Sequence, residues 1–248
     1  MVIEKLNNPN TTIIIGRGHS GTRILPKSLQ DSGFYLGEPL NEALDLLPKP
    51  DIYQACNIFG PYVDQVDNYN WNFDRAVKAQ IPSLFLELLT RYLDPLIRSD
   101  RKHIAWKIPQ SNLIYPWLVR LFPKANFIHW VRHPETACSK LSGIDRLENW
   151  NIPAKKFLFH SFNTKMRVIS WKYHADIVMN SPKPQNLLRV RLEDCQEDPE
   201  HWTQVLGEFL KAQLEIPTID RKRAGVSTNK YFNKYIFLRE TMSNLNYS

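Results

Sequence analysis

The stretch that decides the fold is TTIIIGRGHSGTRIL, Thr11 to Leu25. Thr11 to Ile15 is a short β-branched run with the composition of a buried strand. It passes directly into Gly16, Gly18 and Gly21, and from about Thr22 the sequence can be helical. A strand, a glycine-bearing turn and a helix N-terminus together make an anion site. Backbone N–H groups point into the turn, and the helix dipole adds partial positive charge. Arg17, His19 and Arg23 supply side-chain donors around it. The stretch reads as a cradle for phosphate or sulfate, with a plain tight turn as the competing reading. Gly16 and Gly21 have the Walker spacing, but Thr22 stands where the Walker lysine would be. The side chain that reaches the β- and γ-phosphates of a nucleoside triphosphate is missing, which counts against ATP hydrolysis.

Outward from the loop, Ile24 to Ser32 predicts a first helix with Pro26 in its first turn, and Gly33 to Leu36 a short second strand. Leu47 to Trp71 holds several prolines and many Tyr and Asn with little periodicity, and is expected to be a long excursion. Pro82 to Asp94 reads as an amphipathic helix that Pro95 ends or kinks. His103 to Ile108 predicts a strand ending in Lys107, and Ser111 is expected to cap a helix from Asn112 to Phe122. Ala125 to Val131 is the next strand, and Pro134 starts another helix. Gly143 to Lys156 reads as a loop. A helix over Phe159 to Asn180, a strand over Asn186 to Arg191 and a helix over Pro199 to Ala212 follow. Strands alternating with helices imply a mainly parallel sheet that binds ligands at the carboxyl ends of its strands. No repeat or linker is visible, so the expectation is a single α/β domain over residues 1–248, with 47–71 and 143–156 as its substrate-side loops.

At 248 residues, 43% hydrophobic and 23% charged, the composition is that of a globular protein with length enough for a core. No apolar run approaches membrane-spanning length, and the polar Met1 to Asn10 does not read as a signal peptide. Cys56, Cys138 and Cys195 are too widely spaced for a metal or CxxC pattern. They are read as free thiols of a reducing compartment, and the expected location is cytoplasmic. The net charge of +7 favours acidic partners. The basic residues are dispersed, which favours a charged cleft over a nucleic-acid arm.

A second site lies in IHWVRHPETACSKLS, Ile128 to Ser142. Arg132 falls at a strand end, where its planar fork suits a phosphate, and Ser139 and Lys140 fall on the helix that follows. The bland alternative is an ion pair between Arg132 and Glu135. With a third segment, VRLEDCQEDPEHWTQVLGEFL, these stretches resemble the sulfotransferase family, which uses 3′-phosphoadenosine 5′-phosphosulfate (PAPS). The resemblance covers most of the chain and implies a P-loop-like architecture. GRGHSGTR is similar to the family's 5′-phosphosulfate loop, FIHWVRHPETACS to its 3′-phosphate motif, and the third segment to a later architectural strand in which Glu193 and Asp194 fix a turn.

The resemblance implies that Arg17, Gly18, His19, Ser20, Gly21, Thr22 and Arg23 surround the 5′-phosphosulfate. His19 replaces the usual Lys or Arg. Arg132 and Ser139 hold the 3′-phosphate, with Lys140 as the substitute because Ser139 falls one residue short of the family spacing. Asp220 to Gly225 loosely resembles a basic loop that closes on the cofactor, through Arg221, Arg223 and Gly225. PAPS is then the donor and adenosine 3′,5′-bisphosphate (PAP) the product, with no metal. The acceptor is a carbohydrate, a lipid or a small molecule bearing a hydroxyl or amine. Lys107 falls on the position of the family's histidine base and is assigned as the electrostatic stabiliser. A base is sought in Glu38, with Glu42 in reserve and His19 as a third candidate. Either glutamate could instead cap a helix. Two other functions stay open: a Mg-dependent phosphotransferase with a degenerate Walker loop, and a non-catalytic anion- or nucleotide-binding protein of the same fold. Trp71 and Trp150 either stack on a sugar or belong to the core. Acceptor identity and oligomeric state are not legible.

Overall fold

The computed structural model describes residues 2–154, 164–215 and 230–247. Its centre is β1 (Thr11–Ile15), buried along its whole length. The chain then forms α1 (Ile24–Asp31), α2 (Pro50–Phe59), a two-residue hairpin of β2 (Asp64–Gln65) and β3 (Trp71–Asn72), α3 (Asp74–Lys78), α4 (Ser83–Tyr92) and α5 (Asp94–Ile97). Next come β4 (Ile104–Lys107), α6 (Gln110–Leu113), α7 (Tyr115–Leu121), β5 (Asn126–Val131) and α8 (Pro134–Ala137). The last described elements are α9 (Thr164–Met179), β6 (Asn186–Arg191), α10 (Leu192–Glu197), α11 (Pro199–Leu210), α12 (Lys230–Lys234) and α13 (Arg239–Asn244).

The main sheet has the order β4-β1-β5-β6, all parallel, with Ile14 of β1 beside Lys107 of β4 and Ile128 of β5. Tyr35 adds a single parallel bridge to Ile104 on the outer side of β4, so the segment expected as a second strand is reduced to one bridge. One connection carries the chain from β1 to β4 on one side, and the next carries it from β4 back past β1 to β5 on the other. The crevice at the carboxyl end of β1 is therefore the switch point at which open α/β sheets bind ligands.

Period-two alternation sorts β1 between two cores. Ile13 and Ile15 pack with Trp106, Tyr115, Trp117 and Phe127 on one face. Ile14 packs with Leu25 and Leu29 of α1, Ile128, Trp130 and Val190 on the other. Both faces are covered, which is why the strand reads as an unbroken apolar run.

Four local expectations are corrected. The segment 47–71 contains α2, started by Pro50 in its first turn, with Ile52, Ala55, Cys56 and Phe59 buried against α4. Ser111 does not cap: Pro109 precedes α6, Ser111 lies inside it, and its buried hydroxyl has no partner among the described residues. Within 143–156, Leu147–Trp150 forms a 3₁₀ turn. Ser139 and Lys140 lie beyond α8, which ends at Ala137, so helical rotation does not decide between them. Trp71 and Trp150 are both 6% exposed and belong to the core. Cys56, Cys138 and Cys195 are buried free thiols, and burial pushes Cys138 and Cys195 up to about 12.

Candidate active site

The turn after β1 owes its shape to close approaches. A Cβ on Gly18 would sit 2.2 Å from Ser142 Oγ, so the loop after β5 can press against it only where no side chain stands. Gly21 has φ +76°, and a Cβ there would also meet Leu192 of α10. Trp130 Nε1 donates to the Ser20 carbonyl at 2.8 Å and Ile24 N to the Gly21 carbonyl at 3.1 Å, which fixes the path into α1. Among the described residues, nothing accepts a hydrogen bond from the backbone N–H of His19, Gly21, Thr22 or Arg23. These amides stand over the start of an eight-residue helix, the arrangement that binds an anion.

The Arg17 side chain is directed elsewhere. It is 3% exposed, and its guanidinium donates to both carboxylate oxygens of Asp145 (2.7 and 2.6 Å) and to the carbonyls of Gly18, Ala137 and Lys140. All five of its N–H donors are thereby used. Asp145 also accepts from Ser142 N and Ser170 Oγ. Arg17 thus ties the glycine loop to the segment after β5, and it does not line the large cleft.

That cleft, about 920 Å³, is lined by the loop residues Gly18, His19, Gly21, Thr22 and Arg23, by Lys107 at the end of β4 and Pro109 just after it, and by Arg132, Ser139, Lys140 and Ser142 after β5. Leu192 and Gln196 of α10 close one side, and Ala43 and Asp45 another. Arg132 donates from Nε to Thr136 Oγ1 at 2.9 Å and from Nη1 to the His19 carbonyl at 3.0 Å, so it braces the glycine loop while facing the same space. Glu135, the partner the sequence offered for it, accepts from Tyr231 N at 2.6 Å. Ser20 is buried beneath the loop, and Ser139 Oγ donates to the Thr136 carbonyl at 2.7 Å.

Lys107 is 4% exposed at the end of β4, and its ammonium donates to Asp45 Oδ1 at 2.6 Å and to the Ala43 carbonyl at 2.8 Å. Lys49 reaches the other Asp45 oxygen at 2.7 Å. Burial works to raise the Asp45 carboxyl, but Lys107 and Lys49 together hold it below the ordinary carboxylate range. Burial lowers the Lys107 ammonium, and Asp45 opposes that shift. Asp45 was missed in the sequence because its partner is 62 residues away. It is placed by Asn41, whose side-chain oxygen accepts from the backbone N–H of both Ala43 and Asp45.

Glu38 and Glu42 are exposed on this turn and do not line the cleft. His19 does line it, at φ +64°, and its imidazole is held below its ordinary value, first by burial and then by the Arg17 charge. Arg221, Arg223 and Gly225 lie outside the described residues. Among the described residues, neither 47–71 nor 143–156 contributes a side chain to the cleft lining. No described helix is long and apolar enough to cross a membrane.

A parallel α/β sheet whose first strand feeds a glycine turn, with cations at the ends of both neighbouring strands, defines a P-loop-like α/β architecture. The chain belongs to the sulfotransferase family, whose model matches residues 13–215. No curated protein matches the sequence. Among solved structures, the chain is similar to a sulfotransferase from Alicyclobacillus acidocaldarius, with a TM-score of 0.52 and 10% identity over 95% of this chain and 93% of that one. It is also similar to the sulfotransferase domain from the curacin biosynthetic pathway, with a TM-score of 0.52 and 17% identity over 96% and 97%. At these identities the likeness is one of fold. The family makes the protein a sulfuryl transferase that draws on a sulfonate donor.

Proposed function

We propose that the donor is PAPS and that the acceptor is a hydroxyl or amine of a carbohydrate, lipid or small molecule. The observation that carries this reading is the lining of one cleft by two separate anion-binding groups. These are the turn Gly18–Arg23 with its open backbone amides, and Arg132 with Ser139 and Lys140 on the segment after β5 beside it. A donor with one charged group at its 5′ end and a phosphate at its 3′ position suits two such groups. The missing Walker lysine makes a triphosphate a poor match.

When bound, PAPS supplies an activated sulfuryl group and a nucleoside bisphosphate leaving group. The loop amides, the Thr22 hydroxyl and Arg23 bind its 5′ end, and Arg132, with Ser139 or Lys140, its 3′ end. Lys107 has three N–H donors, of which Asp45 and Ala43 take two. The third supplies positive charge to the oxygen of the leaving group. Of the proton acceptors that line the cleft, His19 has the better chemistry. Its lowered pKa keeps the ring neutral near pH 7, whereas Asp45 is held ionised by two ammonium groups and is a weak base. Asp45 then serves to orient Lys107.

Calorimetric titration with PAP, against ATP and adenosine 5′-monophosphate, tests the reading. Selective binding of the bisphosphate, lost in Arg132→Ala, is expected. Equal binding of all three, or none, overturns it.

A further inference from the structure

Arg132 is fixed by more than its own side chain. Its carbonyl accepts from Trp171 Nε1 at 2.9 Å, and the next backbone N–H, that of His133, donates to Glu193 Oε1 at 2.8 Å. The other oxygen of the Glu193 carboxylate accepts from the Tyr247 hydroxyl at 2.9 Å. The Tyr247 ring meets the His133 ring edge-on, with centroids 5.1 Å apart. A single carboxylate therefore joins the peptide that carries Arg132 to a residue 54 positions beyond that carboxylate.

The segment that bears Tyr247 is well anchored. Leu238, Met242, Leu245 and Tyr247 pack against Val131, Trp171 and Ala175. Thr241 Oγ1 donates to the buried Asp176 at 2.8 Å, and Arg189 to the Asn244 carbonyl at 3.1 Å. Arg191 stacks 5.2 Å over the Tyr247 ring and donates to the Asn246 carbonyl. With Tyr247 held this firmly, its hydroxyl fixes the Glu193 carboxylate, and the carboxylate fixes the turn from β5 into α8.

We propose that Tyr247 is a positioning residue for the 3′-phosphate: through Glu193 it sets the backbone from which Arg132 reaches into the cleft. This rests on the 3′-phosphate role of Arg132 proposed above. Tyr247 does not itself line the cleft, and its hydroxyl is joined to the backbone next to Arg132 through the Glu193 carboxylate and His133 N.

The readout is the ratio of affinities for PAP and adenosine 5′-monophosphate, measured by calorimetry on the full chain. General loosening of the fold lowers both affinities alike, whereas misplacing Arg132, which also braces the His19 carbonyl, lowers the first more than the second. Tyr247→Phe, which removes one hydroxyl and keeps the ring packing, is expected to reduce the ratio about fivefold, the order of the net contribution of one typical hydrogen bond. Glu193→Ala should reduce it further, and Glu193→Gln, which still accepts from His133 N, should restore most of it. A wild-type ratio near one that Arg132→Ala leaves unchanged would overturn the cofactor reading itself. A high wild-type ratio that Arg132→Ala abolishes but Tyr247→Phe preserves overturns this inference alone. The Phe variant decides the matter by itself if Glu193→Ala does not fold.

Discussion

Arg17 and Asp145 meet through two hydrogen bonds of 2.7 and 2.6 Å, across 128 residues of chain, with 3% and 1% of each exposed. The residue that sequence logic assigned to the anion instead clamps together two segments that line the cleft. Removing one member of such a pair strands a buried charge, so Asp145→Ala should cost about 3–5 kcal/mol in denaturant unfolding. Replacing both, as Arg17→Met with Asp145→Leu, should recover most of that stability while weakening bisphosphate binding. The apolar pair has nothing to grip the Ala137 and Lys140 carbonyls. Wild-type binding by the double variant would reduce the clamp to a stability feature.

Gly18 and Ser142 form a steric pair. Gly18→Ala should weaken donor binding by pushing the loops apart, and adding Ser142→Gly should restore much of it, because the atom met at 2.2 Å is then absent. Bisphosphate affinity of the single and double variants checks this.

Lys107→Ala should lower kcat by about 10²–10³-fold with little change in donor KM, the pattern of charge stabilisation in the transition state. Asp45→Asn should have a smaller effect in the same direction, since the ammonium loses its charged anchor and keeps the Ala43 carbonyl. A change in donor KM alone would place Lys107 in ground-state binding.

If His19 takes the acceptor proton, the reaction needs its ring unprotonated. Activity should then be present above the His19 pKa and fall as pH drops through it. That pKa lies below the ordinary histidine value of 6.5, so kcat/KM should show no His19-linked loss between pH 6.5 and about 8. An acid limb centred above 6.5 would remove His19 from the role.

Acid should unfold the protein through His129 and His174, both lowered to about 3, first by burial and then by the charges of Arg189 and Arg17 respectively. The unfolded chain takes up these protons as the pH falls through about 6.5, whereas the folded chain does so only near 3. Extra protons on the unfolded state mean that stability drops over this window, by about 1.4 kcal/mol per pH unit for each ring. His174→Gln should remove one such contribution from the slope between about pH 6 and pH 4, as read by urea unfolding.

What the sequence determined by itself was whatever adjacent residues decide. The β-branched run Thr11–Ile15, the glycine turn, Pro134 at the start of α8 and the strand Asn186–Arg191 all follow from local propensity and sterics. Their order along the chain was enough to place the protein among parallel α/β sheets with a P-loop-like turn. Tertiary structure decided which charged groups face the cleft. Arg17 and Arg132 both stand at strand ends in the sequence, yet one is enclosed by Asp145 and three carbonyls and the other lines the cleft. Glu38 was the carboxylate the sequence offered, but the carboxylate that lines the cleft is that of Asp45, whose partner Lys107 lies 62 residues away, and no local pattern records the pairing. Desolvation and pairing depend on what surrounds a group in space, whereas strand and turn propensities depend on neighbours in the chain.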